Sequence, residues 1–310
     1  MRSPVVALIV ALVLPGCSLE EISLVESEDV VIAEVYVELA PGAPGNSRAT
    51  AWLHRTLDGG APSSRPVPGA QVLITSTRNF SLELAEAPQE SCVWDTPEGV
   101  SGTCYATTAD MAARFLPGEL LRVEVSLPDG RELTGASTVP GGFDLAVQAS
   151  DGRCRALPET PLTLRWSPSE GAWAYVNEAL ISGLRAALAP RGIEVDRDPF
   201  YLLGLSVSAA DTSIVFPGEF GVFERFDLDQ GLARSLQEGL PANTVSTVVI
   251  TAADRNYVNW IRGGNFNPSG LVKIPSMRGD GTGVFATTVS RRIQVTVPGP
   301  GGDLPLCARE

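Results

Sequence analysis

The chain has 310 residues, a formal net charge of −13 and one histidine, His54. An acidic surface repels phosphate backbones, so nucleic acid is not an expected partner. A single histidine excludes most His-based catalysis and His-rich metal sites, and the length suits about two domains with separate cores.

In chain order, the first signal is MRSPVVALIVALVLPGC. Arg2 gives a positive start, and residues 5–14 form an unbroken apolar run too short for a permanent bilayer-spanning helix. Leu14-Pro15-Gly16-Cys17 resembles a bacterial lipobox. That resemblance implies a removable signal peptide over residues 1–16 and a lipidated Cys17 as the new N-terminus. Ser18, in place of Asp, implies sorting to the outer membrane, with the acyl chains as membrane anchor. Residues 17–28 then read as a lipidated, acidic tether.

Residues 29–39 alternate in the period of a half-buried strand, with Val31, Ala33, Val35, Val37 and Leu39 on one face. After the loop PGAPGN, residues 49–57 alternate again; Trp52 and His54 share the face expected to meet solvent. Val72 and Ile74, then Phe80, Leu82 and Leu84, mark two further strands. Leu121, Val123, Val125 and Leu127 mark another, ending at the turn Pro128-Asp129-Gly130, and a closing strand runs to Val139-Pro140. Regular short strands with turn signals predict a β-sandwich over 29–140. The landmarks Pro68-Gly69-Ala70, Leu116-Pro117-Gly118 and Thr138-Val139-Pro140 resemble those of carboxypeptidase-regulatory or transthyretin-like sandwich modules. These motifs are structural turns and imply no activity.

Pro140-Gly141-Gly142 reads as a domain boundary. Beyond it, Leu162 to Pro168 and Gly171-Ala172-Trp173-Ala174-Tyr175 resemble the early strands of a fibronectin type III domain, which implies core roles for Trp166 and Tyr175. The second domain, 145–310, departs from that pattern over about 176–243, where helices are inserted. Val176, Leu180, Leu184 and Leu188 fall at helical spacing, as do Leu228, Leu232, Leu236 and Leu240, with Asp227 or Asp229 as N-cap and Gly239 near the C-cap. A strand at 245–251, a short helix at 253–261, and strands near 284–289 and 291–297 complete the fold. The run Gly279-Asp280-Gly281-Thr282-Gly283 lacks the lysine of a phosphate loop and reads as a hairpin turn. The fold class is therefore mainly β: two β-sandwich domains, the second with inserted helices. Taken whole, the order resembles a family of uncharacterised envelope lipoproteins in which these two β domains are fused.

Besides Cys17 there are four cysteines, Cys92, Cys104, Cys154 and Cys307. An even count in an exported chain reads as two disulfides. Three pairings are open; the favoured one closes a turn-rich loop with Cys92–Cys104 and ties the second domain's ends with Cys154–Cys307.

No nucleophile elbow, Walker loop, zincin motif or C-x-x-C pair occurs, so no cofactor, metal or catalytic residue is implied. The one cluster suited to a ligand is Tyr257, Trp260, Arg262, Asn265 and Phe266, where aromatics beside Arg and Asn can stack on and hydrogen-bond a glycan or a peptide. Its alternative role is packing the helix onto the sheet. The leading functional expectation is a membrane-anchored, non-enzymatic interaction module for an envelope protein or polymer. A carboxylate-dependent hydrolase or glycan-processing enzyme, which needs no histidine, and a purely structural spacer remain alternatives. Replacing Cys17 by Ala is expected to abolish acyl labelling and release the protein from the membrane fraction; continued labelling of the variant would remove the lipoprotein assignment.

Overall fold

The computed structural model describes residues 29–56, 64–93, 101–149, 151–206, 208–220, 230–262, 274–299 and 303–307. The signal segment, Cys17, the tether, Asp227, Asp229, Asn265 and Phe266 lie outside them.

Alternating sequence in the first half produces β1 (Val31–Leu39), β2 (Arg48–Arg55), β3 (Gln71–Ser76), β4 (Ser81–Ala87) and β5 (Thr103–Ala106). One helical turn, α1 (Ala109–Ala112), precedes β6 (Leu120–Ser126) and β7 (Glu132–Thr138). The second half adds β8 (Arg153–Arg155), β9 (Leu162–Arg165), β10 (Ala174–Ser182), α2 (Leu184–Leu188), β11 (Phe200–Leu205) and β12 (Ser213–Phe216). Then follow α3 (Gln230–Glu238), β13 (Thr244–Ala253), α4 (Arg255–Arg262), β14 (Met277–Gly279) and β15 (Gly281–Val297). The fold is mainly β, as expected.

One hydrogen-bonded path runs β11-β10-β13-β15-β1-β2-β5-β4-β3-β6-β7-β14, with β8 also on β15. In the first half the path folds back at β4, which pairs with both β5 and β3. This brings β7 against β15: a Cβ at Gly135 would lie 3.0 Å from Cβ of Phe285. The two layers enclose Val31, Ala33, Val35 and Val37 of β1, Val72 and Ile74 of β3, Leu121 and Val125 of β6, and Phe285, all buried. Each of the larger side chains contributes about 1.5–3 kcal/mol when taken from water. In the second half, Tyr175, Ala179 and Ile181 of β10 and Val248 and Ile250 of β13 line the inner face. Opposite them lie the two-stranded β9–β12 sheet and α3, through buried Leu164, Ile214, Leu232 and Leu236.

β15 is shared between the halves. Its first part, Gly281–Val289, pairs parallel with all of β1 on one edge. Its second part, Thr288–Val297, pairs antiparallel with β13 on the other. The two strands expected near 284–289 and 291–297 are therefore one. Ser290-Arg291-Arg292 reads as a polar interruption, but the ladder runs straight through it, and Arg291 instead holds the linker: Nε donates to the Phe143 carbonyl at 2.6 Å and Nη2 to Asp144 at 3.2 Å.

The glycine run that leads into β15 also differs from expectation. Residues 279–283 do not turn a hairpin between mutually paired strands; β14 pairs with β7, and β15 with β1 and β13. The run is a corner between layers. Gly279 (φ 124°) and Gly283 (φ 146°) sit where a Cβ would overlap the carbonyl oxygens of Glu132 and Ala33, and a Cβ at Gly281 would lie 2.6 Å from that of Val31. Only residues without a side chain let three backbones approach this closely.

The four-residue spacing of Val176, Leu180, Leu184 and Leu188 predicts a helix, yet β10 runs through Ser182 before α2 begins. Four is a multiple of two, so such a stripe lies on one face of a strand as well as of a helix. Trp52 also departs from its expected exposure. It faces outward with His54, but the ring lies flat over Gly102, where a Cβ would stand 2.5 Å away, and is buried, while His54 is half-buried. Trp166 and Tyr175 are core residues in edge-to-face contact, ring centroids 5.2 Å apart. The disulfides pair as favoured, Cys92–Cys104 and Cys154–Cys307.

Gly283→Ala is expected to cost about 3 kcal/mol in chemical denaturation, combining backbone strain with the overlap on β1. A neutral outcome would mean that β15 does not dock against β1 as described.

Candidate binding site around helix α4

Asp254, directly after β13, caps helix α4, which lies across the outer face of β1 and β15. Trp260 packs on Val284 and Ala286 with Ile32, Tyr36 and Tyr257 around it, and is 7% exposed. Tyr257 is half-buried, its ring edge-on to Tyr36 with centroids 6.0 Å apart. Burial pushes both phenols well above their ordinary range, and Tyr36 donates to Glu34 at 3.1 Å. Of the aromatic cluster marked by sequence, Tyr257 and Trp260 thus fasten the helix to the sheet. Arg262 closes the helix, its side chain outside the described set, as are Asn265 and Phe266.

The other end of α4 lines a cleft of about 230 Å3, bounded by Leu120, Ala136, Ser137, Thr138, Gly171, Asp254, Arg255 and Asn256. It lies where β7, at the end of the first sandwich, meets the start of α4. Short β14 pairs with β7 only over Leu133–Gly135, and side chains take over beyond it. Asn256 Nδ2 donates to the carbonyls of Ala136 (3.0 Å) and Phe285 (2.9 Å), tying β7 to β15. Thr287 Oγ1 lies 3.1 Å from the Thr138 carbonyl and 2.8 Å from Ser137 Oγ, so its one proton serves one of them.

Asp254 is the buried acid of this seam, 4% exposed. Oδ1 accepts the Tyr257 backbone N–H at 2.8 Å, the N-cap bond that satisfies an orphan donor of the helix, and Oδ2 accepts the Ser137 hydroxyl. Burial lifts its carboxyl from an ordinary 3.8 to about 6, against the pull of the Ser137 hydroxyl and of backbone N–H groups. Both oxygens are engaged in these bonds and the residue is almost wholly buried, so general acid–base work on a substrate does not fit it. Among the described residues no group of three His, Cys, Asp or Glu side chains could hold a metal ion.

Beside Arg255, which lines this cleft, stands Trp173, 46% exposed, with the guanidinium 5.2 Å from its ring centroid. A turn delivers it: Ser169 Oγ donates to the Gly141 carbonyl, Gly171 takes φ 72°, and the Trp173 N–H bonds the Ala253 carbonyl. Sequence reading placed Trp173 within the fibronectin-like strand signal and passed over it as a ligand residue. Its place two residues before inward-facing Tyr175 gives no sign that Arg255, 82 positions later, stacks on it.

No protein-family model matches this chain, and no curated protein does. Among solved structures it is similar to a tetra-tandem repeat in the extending region of a large adhesion protein, with 11% identity over 85% of this chain and 50% of that one. The TM-score is 0.18, too low to carry an argument about fold or function.

A carboxyl whose pKa is raised on folding stabilises the protein fully below its unfolded value, near 4, and that contribution is lost as pH rises through about 6. Unfolding curves from pH 4 to 7 should therefore show Asp254→Asn gaining on the wild type with rising pH, by about 3 kcal/mol at most. Parallel curves would show that the carboxyl is not desolvated as described.

Proposed function

We propose that the protein is an envelope lipoprotein, held at the outer membrane by a lipidated Cys17, whose β domains bind a protein or polymer partner without turning it over. The observation that carries this reading is the pairing of exposed Trp173 with exposed Arg255 at the mouth of a polar cleft whose one acid is already committed to capping α4. Tryptophan and arginine dominate the energetic centres of binding surfaces, because a rigid ring and a planar guanidinium give large contact with little ordering entropy. Stacked on the ring, Arg255 is pre-oriented and keeps its in-plane N–H donors for a ligand. The net charge of −13 disfavours nucleic acid.

The placement of Trp260 beneath α4 moves the proposed contact from the C-terminal end of that helix to its N-terminal end. A core ring cannot be presented to a partner without unpacking the helix.

Capture of partners from detergent-solubilised envelope, with wild type, Trp173→Ala and Arg255→Ala as baits, tests this. The expected outcome is a partner lost from both variants, with wild-type melting temperatures, since both side chains are exposed. Retention of every wild-type partner by both variants would remove this cleft as the site.

A further inference from the structure

The seam beside the proposed cleft holds a row of oxygens whose protons can be counted. Asp254 Oδ2 meets Ser137 Oγ, Ser137 Oγ lies 2.8 Å from Thr287 Oγ1, and Thr287 Oγ1 lies 3.1 Å from the Thr138 carbonyl oxygen. The side chains of Asp254, Ser137 and Thr287 come from the cap of α4, from β7 and from β15, and all three are buried. The row therefore stitches the end of the first sandwich to the helix and to the shared strand.

Three oxygen–oxygen contacts need one proton each. A hydroxyl brings one proton, whereas a carboxylate and a carbonyl bring none. With Asp254 ionised, Ser137 and Thr287 supply two protons for three contacts, and one contact is left as two acceptors facing each other. With Asp254 protonated the count is three for three. The acid then donates to Ser137, Ser137 to Thr287, and Thr287 to the Thr138 carbonyl. Oδ1 accepts the Tyr257 N–H in both forms. Inside a protein a complete chain of this kind is cohesive, while a buried acceptor without a donor is costly.

The charged and titratable groups around the row are few. α4 brings Arg255, stacked on Trp173, and Tyr257, whose phenol burial keeps protonated. On the cleft's other walls stand Arg122, paired across strands with Ala136, Glu119, held by Arg78 beside Leu120, and Glu170 beside Gly171. β7 and β15 bring only hydroxyls to the row. None of the charged groups sets the state of Asp254: burial raises its carboxyl to about 6 against hydroxyl and backbone N–H donors.

We infer that the seam is a proton-operated latch on the cleft: a proton on Asp254 completes a one-way chain through Ser137 and Thr287 to the Thr138 carbonyl, and its loss leaves one contact unmade and loosens β7 from α4. The direction of the carboxyl's shift agrees, since the proton is held below about 6 and lost above it. Ser137, Thr138 and Asp254 line the cleft, so its wall is firm in mildly acid surroundings and loosens as pH rises. The regulatory consequence rests on the cleft reading proposed above; the latch itself is measured without a partner.

Carbon-13 NMR of the Asp254 carboxyl, titrated from acid to neutral pH, tests the chain in wild type, Thr287→Val and Thr287→Ser. Valine removes one contact and leaves the Ser137 proton to the carboxylate, so the Asp254 midpoint should move to lower pH; serine should keep the wild-type midpoint. If burial alone sets the midpoint, valine leaves it in place or raises it, and the inference falls. Amide hydrogen exchange over residues 136–138 and 254–258 tests the latch, with wild type compared to Asp254→Asn, whose amide donates to Ser137 at every pH. The two should match at about pH 5, and wild type should exchange several-fold faster at about pH 7.5. An unchanged ratio would overturn the latch, and this comparison decides by itself if Thr287→Val does not fold. Loss of partner capture at the cleft with both results intact would remove the binding reading and leave the latch standing.

Discussion

One strand holds the molecule together. β15 lies between β1 and β13 and runs from one half of the protein into the other, so neither half closes its sheet without it. Docking it parallel to β1 requires the chain to arrive from β14, on the opposite layer, through a corner with no side chains in the way. The glycines at 279, 281 and 283 meet that requirement, each pressed against a backbone carbonyl of β7's start or of β1. A sequence with alanines there would keep every apolar residue of the core and lose the arrangement that brings them together.

The same crossing creates the polar seam. β14 is short, so the last residues of β7, paired with β6 on one edge, lack a partner strand on the other, and backbone groups left there must find other hydrogen bonds. Asn256 and Thr287 reach the carbonyls of Ala136 and Thr138, while Asp254 caps α4 and accepts from Ser137. These side chains do locally what a longer β14 would have done. The burial that results is what lifts the Asp254 carboxyl toward neutral pH.

The proposed cleft follows from that geometry. Because side chains rather than a strand complete β7, a concave opening remains between the end of the first sandwich and the start of α4. The turn tied to Gly141 then sets Trp173 beside it, and α4 supplies Arg255. On the reading proposed above, one helix does two jobs: Tyr257 and Trp260 hold it down, and Arg255 faces outward.

The sequence by itself determined the mainly β class, the first-half strands and helix α3 with Gly239 at its end, and it favoured one of three disulfide pairings, the one the structure holds. Those features depend on short-range alternation, on turn residues, or on the few cysteines available. Tertiary structure decided the rest. A four-residue stripe at 176–188 suited strand and helix alike, and pairing with β11 and β13 made its first part a strand. The strands expected near 284–289 and 291–297 are one, because Arg291 finds its partner in a linker 148 residues away along the chain. The candidate site shared that limit. An amphipathic helix shows which residues cluster, but which face is covered depends on the sheet it meets, so Trp260 became core and Trp173, read as part of a strand signal, became surface. Periodicity is a property of neighbours along the chain, whereas exposure and stacking belong to contacts that only the fold creates.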